Sequence, residues 1–257
     1  MKESKRTILF LVLGSFFIAN ALIAEFIGVK IFSLEATFGF NPANINIFKY
    51  NLSFNLTAGV ILWPIVFIMT DIINEYFGHK AVKLYSYIAA SLITYSFLAV
   101  YLAMNTVGSD FWNIKKLENS SLDMNLAYNN IFGQGLWIII GSLVAFLVGQ
   151  VLDVKVFQAV RKITGEKKLW LRATISTLVS QLIDSFVVLF IAFYIGKINT
   201  PDQWPLSQVI AISIVNYLYK FIIAWLMIPV LYFIHKLIDK YLGKELAETM
   251  TTEAALS

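Results

Sequence analysis

The chain has 257 residues, of which 58% are hydrophobic, 15% aromatic and only 14% charged, with a formal net charge of +4 and a mean hydropathy of +0.72. Soluble domains carry about 25% charged residues, so a water-soluble globule is excluded. The length accommodates about six crossings of ~20 residues each together with their loops, which leaves no room for a separate catalytic domain. Cysteine is absent, which removes disulfides, thiolate metal sites and cysteine nucleophiles.

In chain order, charge-poor apolar runs predict six transmembrane helices over 8–32, 56–77, 84–104, 136–156, 173–195 and 206–234. Each is long enough for ~30 Å of hydrocarbon at about 1.5 Å per residue. The expected fold is an all-α membrane protein, one polytopic bundle occupying residues 1–257. Basic residues followed by Ala19-Asn20-Ala21 also suit a cleavable signal peptide; because hydrophobicity resumes through Phe32, the run is read as a retained first span. Segments 33–55 and 107–133 read as polar loops, the second carrying Asp110, Lys115, Lys116, Glu118 and Asp123. Pro64 and Pro229 are expected to kink their spans, and the tail after Tyr241 reads as a solvated helix end or disordered.

Lysine and arginine set orientation in such a chain. Lys2, Lys5 and Arg6, Lys80 and Lys83, six residues between Lys155 and Arg172 (Lys167 among them), and Lys236, Lys240 and Lys244 fall on one side. The other side holds Lys30, Lys49, Lys115, Lys116 and Lys197. Both termini are therefore expected in the cytoplasm, and the basic excess is topological, with no nucleic-acid partner implied.

Polar groups inside spans cost ~2.5 to 3.5 kcal/mol each when charged at the helix centre, so they face a cavity or a partner. Here they cluster: Asn20 and Glu25; Asp71, Asn74 and Glu75; Gln150 and Asp153; Ser176, Thr177, Gln181 and Asp184; Asn216 and Lys220. Residues three or four apart share a helix face, so spans two, four, five and six each present one polar stripe. Counting from the basic boundaries places Asp184 and Lys220 roughly 18 to 22 Å deep, near the midplane, with Asp71 and Asp153 nearer the cytoplasm. Any one of these could be interhelical glue. Together they contain more carboxylates than cations, with Arg172 the only other cation at the boundary, and the surplus requires a proton, an ion or a ligand.

The pattern Gln-x-x-Asp occurs twice, at Gln150/Asp153 and Gln181/Asp184. A carboxylate accepts two hydrogen bonds side by side while an amide donates and accepts, which suits a guanine-like edge or another amide-bearing solute. Trp63, Tyr76, Phe157 and Trp225 could stack on a flat ring, packing and interface anchoring being the competing reading. No P-loop is present, and His79 and His235 lie at span ends, so no His-Glu-x-x-His zinc site exists. No aspartate stands in the Gly-x-Gly-Asp context of a two-aspartate protease. Neither an enzyme nor a cofactor or metal is expected.

Five ordered segments carry a resemblance: Thr70-Asp-Ile-Ile-Asn-Glu-Tyr-Phe-Gly78, Gly149-Gln-Val-Leu-Asp-Val-Lys-Val-Phe157, Leu169-Trp-Leu-Arg-Ala-Thr-Ile-Ser-Thr177, Ser180-Gln-Leu-Ile-Asp-Ser185 and Asn216-Tyr-Leu-Tyr-Lys220. Together they resemble the queuosine precursor transporter family, also called the vitamin uptake transporter family. The resemblance implies a six-helix inner-membrane importer of 7-deazaguanines (7-cyano-7-deazaguanine, 7-aminomethyl-7-deazaguanine or queuine) used to make queuosine in tRNA. It carries substrate binding onto Asp71, Glu75, Gln150, Asp153, Ser176, Gln181, Asp184, Asn216 and Lys220, with Asn20 similar to a family asparagine. Arg172, Trp63, Pro64, Phe157 and Pro229 stand as structural or gating candidates. The partners are then the small solute and the lipid bilayer, with a homodimer left open. Two rivals remain: a substrate-capturing subunit of an ATP-driven uptake complex, and an intramembrane enzyme.

Overall fold

The computed structural model describes residues 2–116, 121–133, 136–165 and 168–256; Glu118 and Lys167, counted above among the loop charges, lie outside them. Helix α1 (Lys2–Ile27) leads through strand β1 (Ile31–Ser33), the single turn α2 (Leu34–Thr37) and strands β2 (Ile45–Ile47), β3 (Tyr50–Leu52) and β4 (Asn55–Thr57). A 3-10 turn at Ala58–Ile61 then opens the long helix α3 (Trp63–Met104). Next come α4 (Asp110–Asn113), β5 (Ile114–Lys116), β6 (Ser121–Asp123) and α5 (Met124–Phe132). The last elements are α6 (Leu136–Thr164), α7 (Leu169–Leu189) with a π-helical end at Phe190–Ile195, α8 (Leu206–Leu226), α9 (Ile228–Leu242) and α10 (Lys244–Leu256).

Among the described residues, five helical segments are long and apolar enough to cross a membrane: α1, α3, the segment containing α6, α7 with its π-helical end, and α8. Large apolar side chains such as Leu11, Leu98, Ile222 and Trp225 point outward and exposed, as a lipid-facing surface requires. The chain is thus a multi-pass helical membrane protein. Among the described residues its loops carry three two-stranded antiparallel ribbons besides.

Several boundaries differ from expectation for local reasons. Residues 63–77 of the second expected span and all of 84–104 belong to one 42-residue helix, bent at Gly78, whose φ of 77° and ψ of 177° are non-helical, while 56–61 fall in β4 and the 3-10 turn. A side chain at that φ would be strained, so glycine permits the bend, and Lys80 and Lys83 continue the helix instead of forming a loop. The first span stops at Ile27: Ile31–Ser33 pairs with Asn55–Thr57, Ile31 opposite Thr57. Short apolar runs suit strand and helix alike, and these two close a ribbon at the mouth of the bundle. Pro64 sits in the first turn of α3, where the missing N–H costs nothing, so it starts a helix and does not kink one. Run 206–234 breaks at Met227, with Pro229 in the first turn of α9.

The tail after Tyr241 is neither solvated end nor disordered. It forms α10, whose Ala247, Met250 and Ala254 are buried at the spacing of one helix face. Lys2 bonds Glu245 at 2.9 Å and Arg6 bonds Glu253 at 2.9 Å, so the first and last helices meet at one end of the bundle.

Helices α6 and α7 pack along a stripe of small residues, Gly141, Ala145 and Gly149. A Cβ on Gly141 would come within 3.0 Å of the Val188 carbonyl oxygen, and one on Gly149 within 4.0 Å of Asp184 Cβ. This spacing lets helix backbones approach closely in lipid, and it fixes how far Asp184 stands from α6. At the opposite end, the loop between β1 and β4 is organised by Glu35, which is buried and accepts the N–H groups of Phe54 at 2.9 Å and Ala43 at 3.2 Å. Desolvation pushes this carboxyl up; the N–H donors outweigh it and hold Glu35 below the usual glutamate range.

Candidate functional site

Among the described residues, two large open cavities are formed between the helices. The larger, about 1420 Å³, is bounded by α1, α6, α7, α8 and the β1–β4 ribbon, and its polar lining includes Glu25, Asn55, Ser142, Asp184, Asn216 and Lys220. The smaller, about 590 Å³, lies toward the end carrying the termini and is lined by Asp71, Thr177 and Gln181 among apolar residues of α3, α8 and α9. Val60, Trp63 and Lys220 line both. They form the partition between the two spaces.

Helical geometry explains who reaches this partition. Asn216 and Lys220 are one turn apart on α8, and the Lys220 ammonium donates to Asp184 Oδ2 on α7. Gln181, one turn before Asp184, turns to the smaller cavity, so the α7 pair Gln181/Asp184 spans from one space to the other. Gln181 Nε2 and Asp71 Oδ1 are buried without a hydrogen-bond partner among the described residues. A donor and an acceptor thus remain free at the smaller cavity. Trp63 is held from behind by Phe146, its ring centroid 5.6 Å away.

The second Gln-x-x-Asp pair has a different environment. Gln150 Oε1 accepts the hydroxyls of Thr70 at 3.2 Å and Ser86 at 3.4 Å, and borders only a crevice of about 220 Å³. Asp153 is fully buried, accepts the Ser180 hydroxyl at 3.3 Å and shares Ser176 with Asp71. Glu75 meets the guanidinium of Arg172, with Arg161 at 3.7 Å. Arg172 also donates to the Gly165 carbonyl at 2.6 Å and lies over the Phe157 ring at 5.4 Å. Asn20 donates to the Phe16 carbonyl of its own helix at 2.8 Å.

Of the residues expected at a site, Asp71, Gln181, Asp184, Asn216, Lys220, Trp63 and Pro64 therefore line the two cavities. Asn20, Glu75, Asp153, Ser176, Arg172 and Phe157 are buried behind the walls, while Pro229 is exposed on the outer surface. Tyr76 is buried and donates to Asp239 at 2.6 Å, while Trp225 faces outward, so neither can stack on a cavity ligand. Arg161 adds a second buried cation beside Arg172, both on Glu75, so the carboxylates outside these ion pairs among the described residues of the bundle interior are Glu25, Asp71 and Asp153.

Sequence reasoning missed one aromatic platform. Phe193, on the π-helical end of α7, stacks on Trp204 with centroids 4.0 Å apart and planes at 9°, and the Trp204 N–H donates to the Phe193 carbonyl at 3.0 Å. Both line the larger cavity. A π turn inserts one residue and re-aims the side chains beyond it, a device frequent at functional sites; no periodicity signals it. The combined lining of flat rings, amides, carboxylates and one ammonium can hold a planar solute by its faces and read its edge.

Similarity to known proteins gives the family. The family profile described as "Putative vitamin uptake transporter" matches residues 57–234. A protein of Bacillus subtilis (strain 168) named probable queuosine precursor transporter is 33% identical over 201 residues, which cover 76% of this chain and 80% of that protein. The queuosine precursor transporter of Escherichia coli (strain K12) is 28% identical over 173 residues, 67% of this chain and 69% of that one. No solved structure matches.

Proposed function

The chain belongs to the vitamin uptake transporter family, and on that premise we propose that it is a queuosine precursor transporter, carrying a 7-deazaguanine inward across the cytoplasmic membrane. The observation that carries this reading is the Asp184–Lys220 pair on the wall between two cavities. A solute entering the larger cavity meets the pair and Asn216, and passing Trp63 it meets Gln181 and Asp71. A binding site near the midplane with a space on either side is what alternating access needs.

Counting the two arms of α3 separately gives six crossings, and the basic end with both termini is assigned to the cytoplasm by the positive-inside rule. The larger cavity then opens outward and the smaller inward. Asp71, Gln181, Asp184, Asn216 and Lys220 contact the solute; Asn20, Glu75, Gln150, Asp153 and Ser176 act at one remove, fixing the helices that carry them.

The test is reconstitution of the purified chain alone into liposomes with labelled 7-cyano-7-deazaguanine. Uptake is expected from the chain alone and is lost in Asp184→Leu. Uptake that appears only with an ATP-driven partner would make the chain a substrate-capturing subunit.

A further inference from the structure

Three charged side chains line the larger cavity among the described residues: Glu25, Asp184 and Lys220. Lys220 is committed to Asp184. Glu25, in the last turn of α1, receives among the described residues the hydroxyl of Ser142 from α6, a neutral donor, and it lies within the field of Asp184. The cavity therefore carries one more carboxyl than it has cations to match, and the unmatched one faces the space a solute would occupy.

A structural role alone would explain the Ser142 contact, which joins α1 to α6. It would not require a carboxyl: an amide accepts from a hydroxyl equally well and avoids the cost of an ionisable group at this depth. The same cavity offers the stacked Phe193 and Trp204 rings for a flat heterocycle, so a charged substituent on that heterocycle is what the extra carboxyl can serve.

Resting on the transport reading above, we propose that Glu25 is the counter-charge for a positively charged nitrogen on the transported heterocycle, and that it makes the chain prefer an amine-bearing ring over a neutral one. A charge-assisted hydrogen bond in a site shielded from water is stronger than a neutral one. Loss of the carboxyl should therefore weaken only the ligand that carries the cation.

The experiment measures binding of 7-aminomethyl-7-deazaguanine and 7-cyano-7-deazaguanine to the purified full chain in lipid nanodiscs. The wild-type chain binds the amine more tightly. In Glu25→Gln the amine loses roughly tenfold or more, the nitrile is essentially unchanged, and the preference disappears; retained nitrile binding shows that the variant is folded. Ser142→Ala, which keeps the carboxyl, keeps the preference. Equal weakening of both ligands in Glu25→Gln, an unaltered preference there, or its loss in Ser142→Ala overturns the role given to Glu25. A wild-type chain that binds neither ring overturns the transport reading itself.

Discussion

Arg172 and Glu75, 97 residues apart in sequence, join α7 to α3 through an ion pair in which both side chains are sealed from solvent, with exposures of 0% and 3%. Burying two charges is offset only by their mutual attraction and full hydrogen bonding. Removing Arg172 leaves Glu75 to the more distant guanidinium of Arg161, at 3.7 Å. Arg172→Met should therefore cost ~3 to 5 kcal/mol, and Glu75→Leu, which takes the shared carboxylate from both Arg172 and Arg161, should cost at least as much. Thermal unfolding in one detergent checks this; a double variant less stable by the sum of the two singles would show that the pair does not interact.

The Asp184–Lys220 pair behaves differently because it is only partly shielded, at 23% and 16% exposure. Lys220→Met should lower stability by ~1 to 3 kcal/mol, and Lys220→Met with Asp184→Leu should be more stable than Lys220→Met alone. Uptake should be absent from both variants. Restored stability without restored uptake separates a pair that serves the solute from one that serves only the fold; full uptake by the double variant would leave the pair structural.

Position along each helix made the placement of several cavity-lining residues readable in advance. Asn216 and Lys220 fall on one face at four-residue spacing, and counting rises from the basic boundary placed Lys220 opposite Asp184. The two Gln-x-x-Asp pairs look alike in sequence, yet Gln181/Asp184 borders the cavities while Gln150/Asp153 is spent between helices. Spacing tells which residues share a face; it does not tell which neighbour that face meets. Gly78 went unread as a bend because Lys80 and Lys83 mimic a loop. Helix α10 went unread because its buried face is only Ala247, Met250 and Ala254, too little apolar surface to stand out. The Phe193–Trp204 stack depends on a π turn and a loop, neither of which leaves a period.

The shared end of α1 and α10 allows a test of orientation in a chain free of cysteine. Single cysteines at Lys2 and at Asn46, exposed in β2, should react with an impermeant thiol reagent from opposite sides of sealed vesicles. Labelling of both from one side overturns the six-crossing arrangement.

Glu35 predicts a pH response confined to the β1–β4 loop. Its carboxyl is held below the ordinary range, so the folded loop favours the ionised form. That contribution is fully present above the ordinary glutamate pKa and is lost as pH falls through the lowered folded value. Protease resistance of segment 33–55 should therefore drop on acidification below the ordinary range in the wild-type chain. Glu35→Gln should be cleaved readily at neutral pH, with little further change on acidification; a variant as resistant as wild type would remove Glu35 from this role.

Recognition of the ring edge is the most demanding consequence of the cavity lining. Asp71 offers an acceptor and Gln181 a free donor at the smaller cavity, and Asp184 offers an acceptor at the larger, so each space can pair with part of an edge that has two donors beside one acceptor. A site that reads an edge through buried polar groups rejects a ring lacking the donors, because its own acceptors are then left unpaired. Guanine-like deazapurines should bind at least ~100-fold more tightly than adenine-like ones of the same size. Asp71→Asn replaces one acceptor with a competing donor and should weaken guanine-like ligands while leaving the unfolding temperature near wild type. Asp184→Asn keeps an oxygen for Lys220 and should show the same loss of affinity. Equal affinity for the two ring types, or unimpaired uptake by both variants, would return these carboxylates to a purely structural role.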